Sequence, residues 1–313
     1  MRVLVTGVGG QLGHDVMNEL AGRGHEGIGS DLAEVYSGIQ DGTAVTTMSY
    51  HSLDITDATA VESMFSEIHP DAVIHCAAWT AVDAAEDEDK RDRVEQVNVK
   101  GTEAIARACK GEGSKLLYLS TDYVFDGEGQ TPWKPDCKDY APLNVYGRTK
   151  LGGELAVARQ LSQYFIVRIA WVFGVNGNNF IKTMLRAGKN HDQLTVVRDQ
   201  IGTPTYTFDL ARLLVDMIET EKYGYYHATN EGDYISWYDF AVEIFRQAAA
   251  LGHEEYDERH LSVKPVTTEE YGLSKAKRPF NSRLDRSKLG ESGFEPLPVW
   301  QDALRRYLRI IEI

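Results

Sequence analysis

Short, largely apolar runs alternate with segments of helical period along the first third of the chain. The run at 2–6 is typical of a strand buried on both faces. Residues 11–22 place apolar side chains at helical spacing, and the next run, 25–31, ends in Asp31. This β-α-β order predicts a parallel sheet with right-handed crossovers.

The alternation continues as far as residue 121, while 32–50 is polar and is expected to form a surface loop. Uninterrupted alternation of this kind indicates a doubly wound α/β fold of the Rossmann type. The further elements that we expect are strands within 50–57, at 71–75 and at 115–121, and helices at 57–68 and 83–110.

Beyond residue 173 the pattern loosens into a mixed region with many aromatic side chains and a basic segment at 274–288. We therefore expect a dinucleotide-binding domain at 1–173 and, mainly within 174–313, a smaller mixed α/β domain that binds the substrate. An amphipathic helix at about 205–222 is expected to pack back on the first domain.

A glycine-rich turn joins the first strand to the first helix, with Gly7, Gly10 and Gly13 in the spacing G-x-x-G-x-x-G. Such a turn needs the backbone freedom of glycine, and the helix after it presents unpaired N–H groups that suit a pyrophosphate. A tight turn without a ligand would have the same residues. The position between a strand and a helix favours the dinucleotide.

Asp31 follows this turn by roughly 20 residues, the position at which a dinucleotide fold places a carboxylate against the adenosine ribose. A carboxylate there favours a free 2′-hydroxyl, and therefore NADH, over the 2′-phosphate of NADPH. The alternative is an ordinary loop aspartate.

A catalytic constellation follows the strand that ends at Thr121. Tyr146 and Lys150 are four residues apart, one turn along the same face of a predicted helix. A lysine ammonium would lower the tyrosine pKa from about 10 and help it to give a proton to a carbonyl oxygen. The spacing alone is not specific, since Tyr271 and Lys275 repeat it after the sheet pattern has ended.

Composition narrows the function classes. The formal net charge of −14 argues against a general nucleic-acid binder, which must neutralise phosphates. Three cysteines, Cys76, Cys109 and Cys137, have no metal-binding spacing and indicate free thiols in a reducing compartment. Neither a signal peptide nor a membrane-spanning run is recognisable, so we expect a cytoplasmic protein that does not bind membranes.

At these residues the chain resembles the extended short-chain dehydrogenase/reductase family, and the resemblance covers nearly its whole length. STDYVF together with VYGRTK is more discriminating than the Tyr-Lys spacing alone. The motifs that carry it include TGVGGQLG at 6–13, CAAWTAVDAAE at 76–86, STDYVFDG at 120–127, NVYGRTKLGGE at 144–154, AWVFG at 170–174, NNFIKTML at 178–185, DQIGTPT at 199–205 and KRPFNSRL at 277–284.

The resemblance implies reduction of the 4-keto group of dTDP-4-dehydro-β-L-rhamnose to dTDP-L-rhamnose, with NADPH or, in some members, NADH. Tyr146 would be the general acid, Lys150 its activator and a ribose ligand, and Thr121 the hydroxyl partner. The implied cofactor ligands are Gly7, Gly10, Gln11, Leu12, Gly13, Asp31, Asp54, Ile55, Ala77, Ala78, Thr80, Tyr146 and Lys150. The implied substrate contacts are Thr121, Asp122, Tyr123, Trp171, Asn179, Arg278, Asn281 and Ser282.

Some members of the family form Mg²⁺-bridged dimers through glutamates, and the shorter Asp15 and Asp209 stand at the corresponding places. We therefore expect no metal and favour a monomer, with a homodimer left open. Two other functions remain: a nucleotide-sugar 4-epimerase or dehydratase on the same scaffold, and a non-catalytic regulatory subunit of an S-adenosylmethionine synthetase.

Overall fold

The computed structural model describes all residues, 1–313. Its strands are β1 Arg2–Thr6, β2 Glu26–Asp31, β3 Ser49–Ser52, β4 Ala72–His75, β5 Lys115–Thr121, β6 Tyr164–Ile169, β7 Val172–Phe173, β8 Gln193–Val197, β9 Ile201–Gly202, β10 Thr205–Tyr206, β11 Gly224–His227, β12 Ile235–Ser236 and β13 Ser262–Val266.

Helices connect these strands. They are α1 Gln11–Gly22, α2 Ala44–Thr47, α3 Ala58–Ile68, α4 Arg91–Glu95, α5 Thr102–Glu112, α6 Val145–Gln160, α7 Phe180–Asn190, α8 Thr207–Ile218, α9 Trp237–Ala250, α10 Thr268–Tyr271, α11 Ser287–Glu291 and α12 Trp300–Leu308. None of them is long and apolar enough to cross a membrane.

A seven-stranded sheet in the order β11-β6-β5-β4-β1-β2-β3 forms the centre, and all of its strand pairs are parallel. The doubly wound Rossmann-type fold is therefore confirmed. The order reverses at β1, which lies between β4 and β2, and a ligand cleft in such a sheet opens at the carboxyl ends of the strands beside this reversal.

The sheet separates two hydrophobic layers. Val3 and Val5 of β1 pack on one side, in a cluster with Leu210 and Leu214 of α8, while Leu4 packs on the other side with Ile105 of α5. Successive side chains of a strand point to opposite faces, so a strand covered on both faces needs the continuous apolar run seen at 2–6. A third cluster fills the region between α7, α9 and α12.

Two elements beyond residue 173 return to the central sheet. Helix α8 packs against α1, and Arg23, the residue that directly follows α1, hydrogen-bonds Asp216 and the carbonyl of Arg212. Strand β11 pairs with β6 at the edge of the sheet, which the sequence pattern did not predict. Its sequence GYYH is short and half-polar, so its hydrophobic pattern does not distinguish it from the aromatic-rich loops on either side.

The charged segment at 83–110 is less regular than the single helix that we expected. A 3₁₀ turn at Ala84–Glu86 comes first, and a π-helical turn at Gln96–Gly101 then joins α4 to α5. The polar segment at 32–50 likewise contains the short helix α2 and the start of β3. The expected surface loop is therefore partly ordered into elements.

Candidate active site

A cleft of about 990 Å³ opens at the carboxyl ends of β1, β4 and β5 and reaches across to the second half of the chain. The glycine turn and the Tyr146–Lys150 pair lie on its walls. Of the predicted site residues, the following line it: Gly7, Gly10, Gln11, Leu12, Gly13, Asp31, Asp54, Ile55, Ala77, Ala78, Thr80, Thr121, Asp122, Tyr123, Tyr146, Lys150, Trp171, Asn179 and Arg278.

The glycine turn is shaped by close backbone packing. Gly7 has a φ of 75°, and a Cβ there would lie 2.7 Å from the backbone nitrogen of Ala77, so only glycine fits. No side chain caps the N-terminus of α1 at Gly10. The backbone N–H groups of the first turn of α1 consequently remain free to hydrogen-bond a ligand in the cleft, as a pyrophosphate site requires.

Asp31 stabilises the backbone of the glycine turn. Its carboxylate accepts hydrogen bonds from the backbone N–H groups of Gly9, at 2.8 Å, and Leu32, at 2.7 Å. It also lines the cleft, so the loop role and the predicted ribose contact are compatible. Both oxygens still have lone pairs to accept a ribose hydroxyl.

Asp54 lies at the same end of the cleft and pairs with Arg93, whose Nη2 is 3.0 Å from the carboxylate. Burial opposes ionisation of Asp54, but hydrogen bonds from Thr56 and the nearby Arg93 hold its pKa below the usual value. Arg93 lines the cleft but was not a predicted site residue, because it lies inside a charge run typical of a solvated helix face.

Helix α6 carries the catalytic pair. It begins after Asn144, whose side chain accepts the N–H of Gly147, and its uninterrupted period places Tyr146 and Lys150 on one face. Lys150 is 4% exposed, and its Nζ donates a 2.6 Å hydrogen bond to the carbonyl of Leu119 in β5. The lysine is therefore anchored to the strand that ends at Thr121.

The Tyr146 pKa is shifted in the direction opposite to the expected lowering. Burial, with the carboxylate of Asp122 nearby, raises the pKa of Tyr146, and a hydrogen bond with Thr121 only partly opposes this. Burial also lowers the pKa of Lys150 to about 7, which weakens the lysine as a source of positive charge. Tyr146 is consequently protonated at neutral pH, the form that a general acid needs.

Thr121 links the residues at the end of β5. Its hydroxyl donates to Asp122 at 3.0 Å and accepts the backbone N–H of Tyr123 at 3.2 Å. Asp122 is 2% exposed, its Oδ2 has no protein partner, and burial raises its pKa to about 6. The Tyr123 ring packs edge-on against Tyr146 with 5.6 Å between centroids. A polar cluster thus faces the tyrosine.

Trp171 forms the opposite wall in a strained conformation, with a φ of 52°. Its ring stacks on Trp237 with 3.8 Å between centroids. Trp237 also lines the cleft but was not predicted as a site residue, because it is the first residue of α9, far along the chain from the strand ends.

Two predicted substrate contacts, Asn281 and Ser282, are hydrogen-bonded within the protein. Asn281 is buried away from the cleft, where its Nδ2 donates to the carbonyls of Glu128 and Thr131. Ser282 is also buried outside the cleft lining, and its N–H pairs with Ile201. Neither residue lines the cleft in this structure, although the Ser282 side chain hydrogen-bonds Asp122, which does. Their direct contact with a ligand stays a prediction, and both fix the segment that carries Arg278.

Asn179 lies at the cleft, but its amide is used within the protein. Its Nδ2 donates to Gln11, to the carbonyl of Gly174 and to the hydroxyl of Tyr307, and its Oδ1 caps α7. A substrate would have to displace these bonds to use the amide group.

The two aspartates considered for a shared metal are satisfied by protein groups. Asp15 accepts from Thr207, and Asp209 forms a bidentate pair with Arg306 at 2.9 and 2.7 Å. No group of three or more His, Cys, Asp or Glu side chains is placed to hold a metal ion.

Comparisons with known proteins agree with this geometry. The family model described as RmlD substrate binding domain matches residues 1–313. The dTDP-4-dehydrorhamnose reductase of Aggregatibacter actinomycetemcomitans is 39% identical over 311 residues, covering 97% of each chain.

Solved structures give the same picture. The structure of a dTDP-4-dehydrorhamnose reductase from Clostridium acetobutylicum superimposes with a TM-score of 0.86 at 40% identity, covering 100% of both chains. That of the dTDP-4-dehydrorhamnose reductase from Bacillus anthracis, in complex with NADP, gives a TM-score of 0.85 at 37% identity, covering 99% of both chains.

Proposed function

This chain belongs to the family described as the RmlD substrate binding domain, and on that premise we propose that it reduces the 4-keto group of dTDP-4-dehydro-β-L-rhamnose to give dTDP-L-rhamnose. The reaction is an NAD(P)H-dependent oxidoreduction in dTDP-rhamnose synthesis. The observation that carries the proposal is that one cleft joins an uncapped, glycine-framed helix N-terminus to the half-buried Tyr146 and the buried Lys150.

The first half of the cleft fits a nicotinamide dinucleotide. Gly7 lets the turn pack closely against the backbone of Ala77, the first turn of α1 offers free N–H groups, and Asp31 lines the cleft where a ribose hydroxyl would bind. When bound, the cofactor supplies the hydride. Ala77, Ala78 and the other predicted cofactor ligands on this wall would hold it in the cleft that Tyr146 also lines.

Tyr146 would donate its phenolic proton to the 4-keto oxygen as the carbonyl carbon is reduced, so that a hydroxyl replaces the ketone. Thr121 would hold the same oxygen through its hydroxyl, which already contacts Asp122. Lys150, anchored on Leu119, would bind the ribose hydroxyls and stabilise the tyrosinate that remains. Trp171 and Tyr123 would enclose the sugar and exclude water.

Donor choice follows from two opposed features. Asp31 disfavours a 2′-phosphate through its charge, whereas the relative from Bacillus anthracis, 37% identical, is seen with NADP. We therefore propose that the enzyme uses NADPH or NADH, with Arg93 beside Asp54 as the cation available to a 2′-phosphate at that end of the cleft.

We assign residues 1–173 to the dinucleotide-binding domain, supplemented by α8, and residues 174–313 mainly to binding of the dTDP-sugar. We also propose that the protein acts as a cytoplasmic monomer that binds neither nucleic acid nor membranes. The support is the net charge of −14 and three cysteines that are all free thiols.

The decisive experiment follows absorbance of the reduced nicotinamide with dTDP-4-dehydrorhamnose, using NADPH and NADH in turn. Stoichiometric cofactor oxidation with formation of dTDP-rhamnose is expected. Turnover of a nucleotide sugar without net cofactor oxidation would instead indicate the epimerase or dehydratase. Absence of any turnover, with recovery of an S-adenosylmethionine synthetase as a bound partner, would indicate the regulatory subunit.

A further inference from the structure

We propose that Asp83 is a positioning residue for recognition of the substrate diphosphate, because it holds the guanidinium of Arg278 at the mouth of the cleft. The proposal rests on the proposed function, since it concerns the sugar-nucleotide half of the same cleft. Asp83 itself does not line the cleft and was not among the predicted site residues.

Four donors from one segment converge on the Asp83 carboxylate. The backbone N–H groups of Lys275 and Ala276 donate to Oδ1 at 3.1 and 2.9 Å. The Arg278 fork donates from Nη1 to Oδ1 at 3.0 Å and from Nη2 to Oδ2 at 2.8 Å. A single side chain therefore fixes both the course of the 275–278 segment and the plane of its guanidinium.

The geometry leaves Arg278 with unused donors. Its Nε–H makes no hydrogen bond within the protein, and Nη2 uses only one of its two N–H groups. A carboxylate already holds one edge of this planar guanidinium, so its side chain is ordered before a ligand binds. The remaining donors can therefore bind phosphate oxygens without the entropic cost of ordering the side chain. Arg278 lines the cleft, and its side chain is only 23% exposed.

The short 3₁₀ turn that follows Asp83 also contacts the start of the catalytic helix α6. Asp83 precedes the 3₁₀ turn Ala84–Glu86, and Glu86 accepts the N–H of Val145 at 2.7 Å, at the first residue of α6. Ala85, fully buried, packs with Val145 in a small cluster against which Tyr146 is packed. One short turn therefore sets the placement of Arg278 relative to Tyr146.

Two simpler roles make different predictions. If Asp83 only ties the 275–278 segment to the protein, its loss lowers stability and affects every ligand alike. If it only neutralises Arg278, removing its charge strengthens binding of an anion. A positioning role alone predicts weaker binding that is confined to ligands carrying the diphosphate.

The test is titration calorimetry of dTDP and of thymidine with Asp83→Asn. Asparagine keeps an acceptor for the two backbone N–H groups but cannot accept from both nitrogens of the Arg278 fork. We expect dTDP to bind about tenfold more weakly, the equivalent of one charge-assisted hydrogen bond. Thymidine affinity, NADPH affinity and the melting temperature should stay close to those of the unaltered protein.

Asp87→Asn is the matched control. Asp87 lies on the same stretch of chain and pairs with Lys275 and Lys90, but it does not touch Arg278. Its substitution should leave dTDP binding unchanged. In an Arg278→Gln background, Asp83→Asn should have no further effect on dTDP, because Asp83 acts through Arg278.

Unchanged or tighter dTDP binding by Asp83→Asn would overturn the proposal, and so would an equal loss for thymidine or an additive loss in the Arg278→Gln background. These outcomes are separable from failure of the proposed function. If the unaltered protein turns over the dTDP-sugar while Asp83→Asn binds dTDP normally, only the proposed role of Asp83 is refuted. If the unaltered protein neither turns over the sugar nor binds dTDP, the proposed function is refuted as well.

Discussion

Two pairs in this chain have the same Tyr-x-x-x-Lys spacing, and the structure gives them opposite environments. Tyr146 and Lys150 lie on the 16-residue helix α6, and Lys150 is 4% exposed with its Nζ bound to β5. Tyr271 is the last residue of the four-residue helix α10 and is 37% exposed. Spacing therefore brings the two side chains together only where the helix continues.

The second pair is separated by Gly272, which caps α10 with a φ of 60° and turns the chain away. Lys275 then reaches Asp87 on the surface, with 54% of its side chain exposed. A lysine in water keeps its charge solvated, whereas Lys150 is desolvated beside the cleft. Burial, rather than the motif, gives the first pair its chemical character.

Removal of each phenolic hydroxyl tests this contrast with the largest expected effect. Tyr146→Phe should lower kcat by roughly 10²- to 10⁴-fold, the usual contribution of a positioned general acid. Tyr271→Phe, the matched change at the second pair, should leave kcat and KM unchanged. Both are measured as oxidation of the reduced nicotinamide with the dTDP-sugar.

Binding of NADPH, followed by fluorescence, is the control for Tyr146→Phe and should be retained. Turnover of Tyr146→Phe close to that of the unaltered enzyme would refute the assignment of Tyr146 as the acid. A loss in Tyr271→Phe comparable to that in Tyr146→Phe would show that the contrast between the two pairs is false.

The second test concerns the stability cost of burying Lys150. Because burial lowers the pKa of Lys150 to about 7 from an unfolded value near 10.4, the folded protein loses this proton first as the pH rises. Stability from this group therefore increases between about pH 7 and pH 10 and is lowest below pH 7. Lys150→Met should stabilise the ligand-free protein by about 1–2 kcal/mol at pH 6.

The gain from Lys150→Met should shrink as the pH is raised from 7 to 9, in urea unfolding of the ligand-free protein, while turnover is lost. Lys275→Met is the control and should give no comparable gain in stability at pH 6, since its side chain is more than half exposed. A Lys150→Met protein that is no more stable than the unaltered one at pH 6 would show that the buried ammonium carries no such cost.

The cofactor half of the cleft could be predicted from the sequence because each of its parts is local. A strand, a glycine turn and a helix follow one another within 2–22, and Thr121 ends an apolar run. Backbone sterics and the direction of parallel strands then place Gly7 and Thr121 at the same edge of the sheet. No knowledge of distant contacts is needed.

The substrate half depends on contacts between residues that are far apart along the chain. Asp83 and Arg278 are separated by 195 positions, and Trp171 meets Trp237 across the two halves of the protein. Neither pairing leaves a periodic signal. Asn281 shares a motif with Arg278, but it forms a bridge with Ile201 and turns inward, so membership of the motif did not indicate exposure to the cleft.

The smallest test asks whether Gly272 is what separates the second pair. A Cβ at Gly272 would meet nothing closer than the Glu269 carbonyl at 3.6 Å, so the cost of Gly272→Ala comes from its positive φ alone. We expect a loss of about 1 kcal/mol of stability in urea unfolding, with unchanged turnover.

Gly22→Ala is the contrasting change, because Gly22 ends α1 without a positive φ and with open space around it. It should be neutral or stabilising by about 0.5 kcal/mol. Equal effects of the two substitutions would show that Gly272 does not hold a left-handed turn, and the separation of Tyr271 from Lys275 would then need another cause.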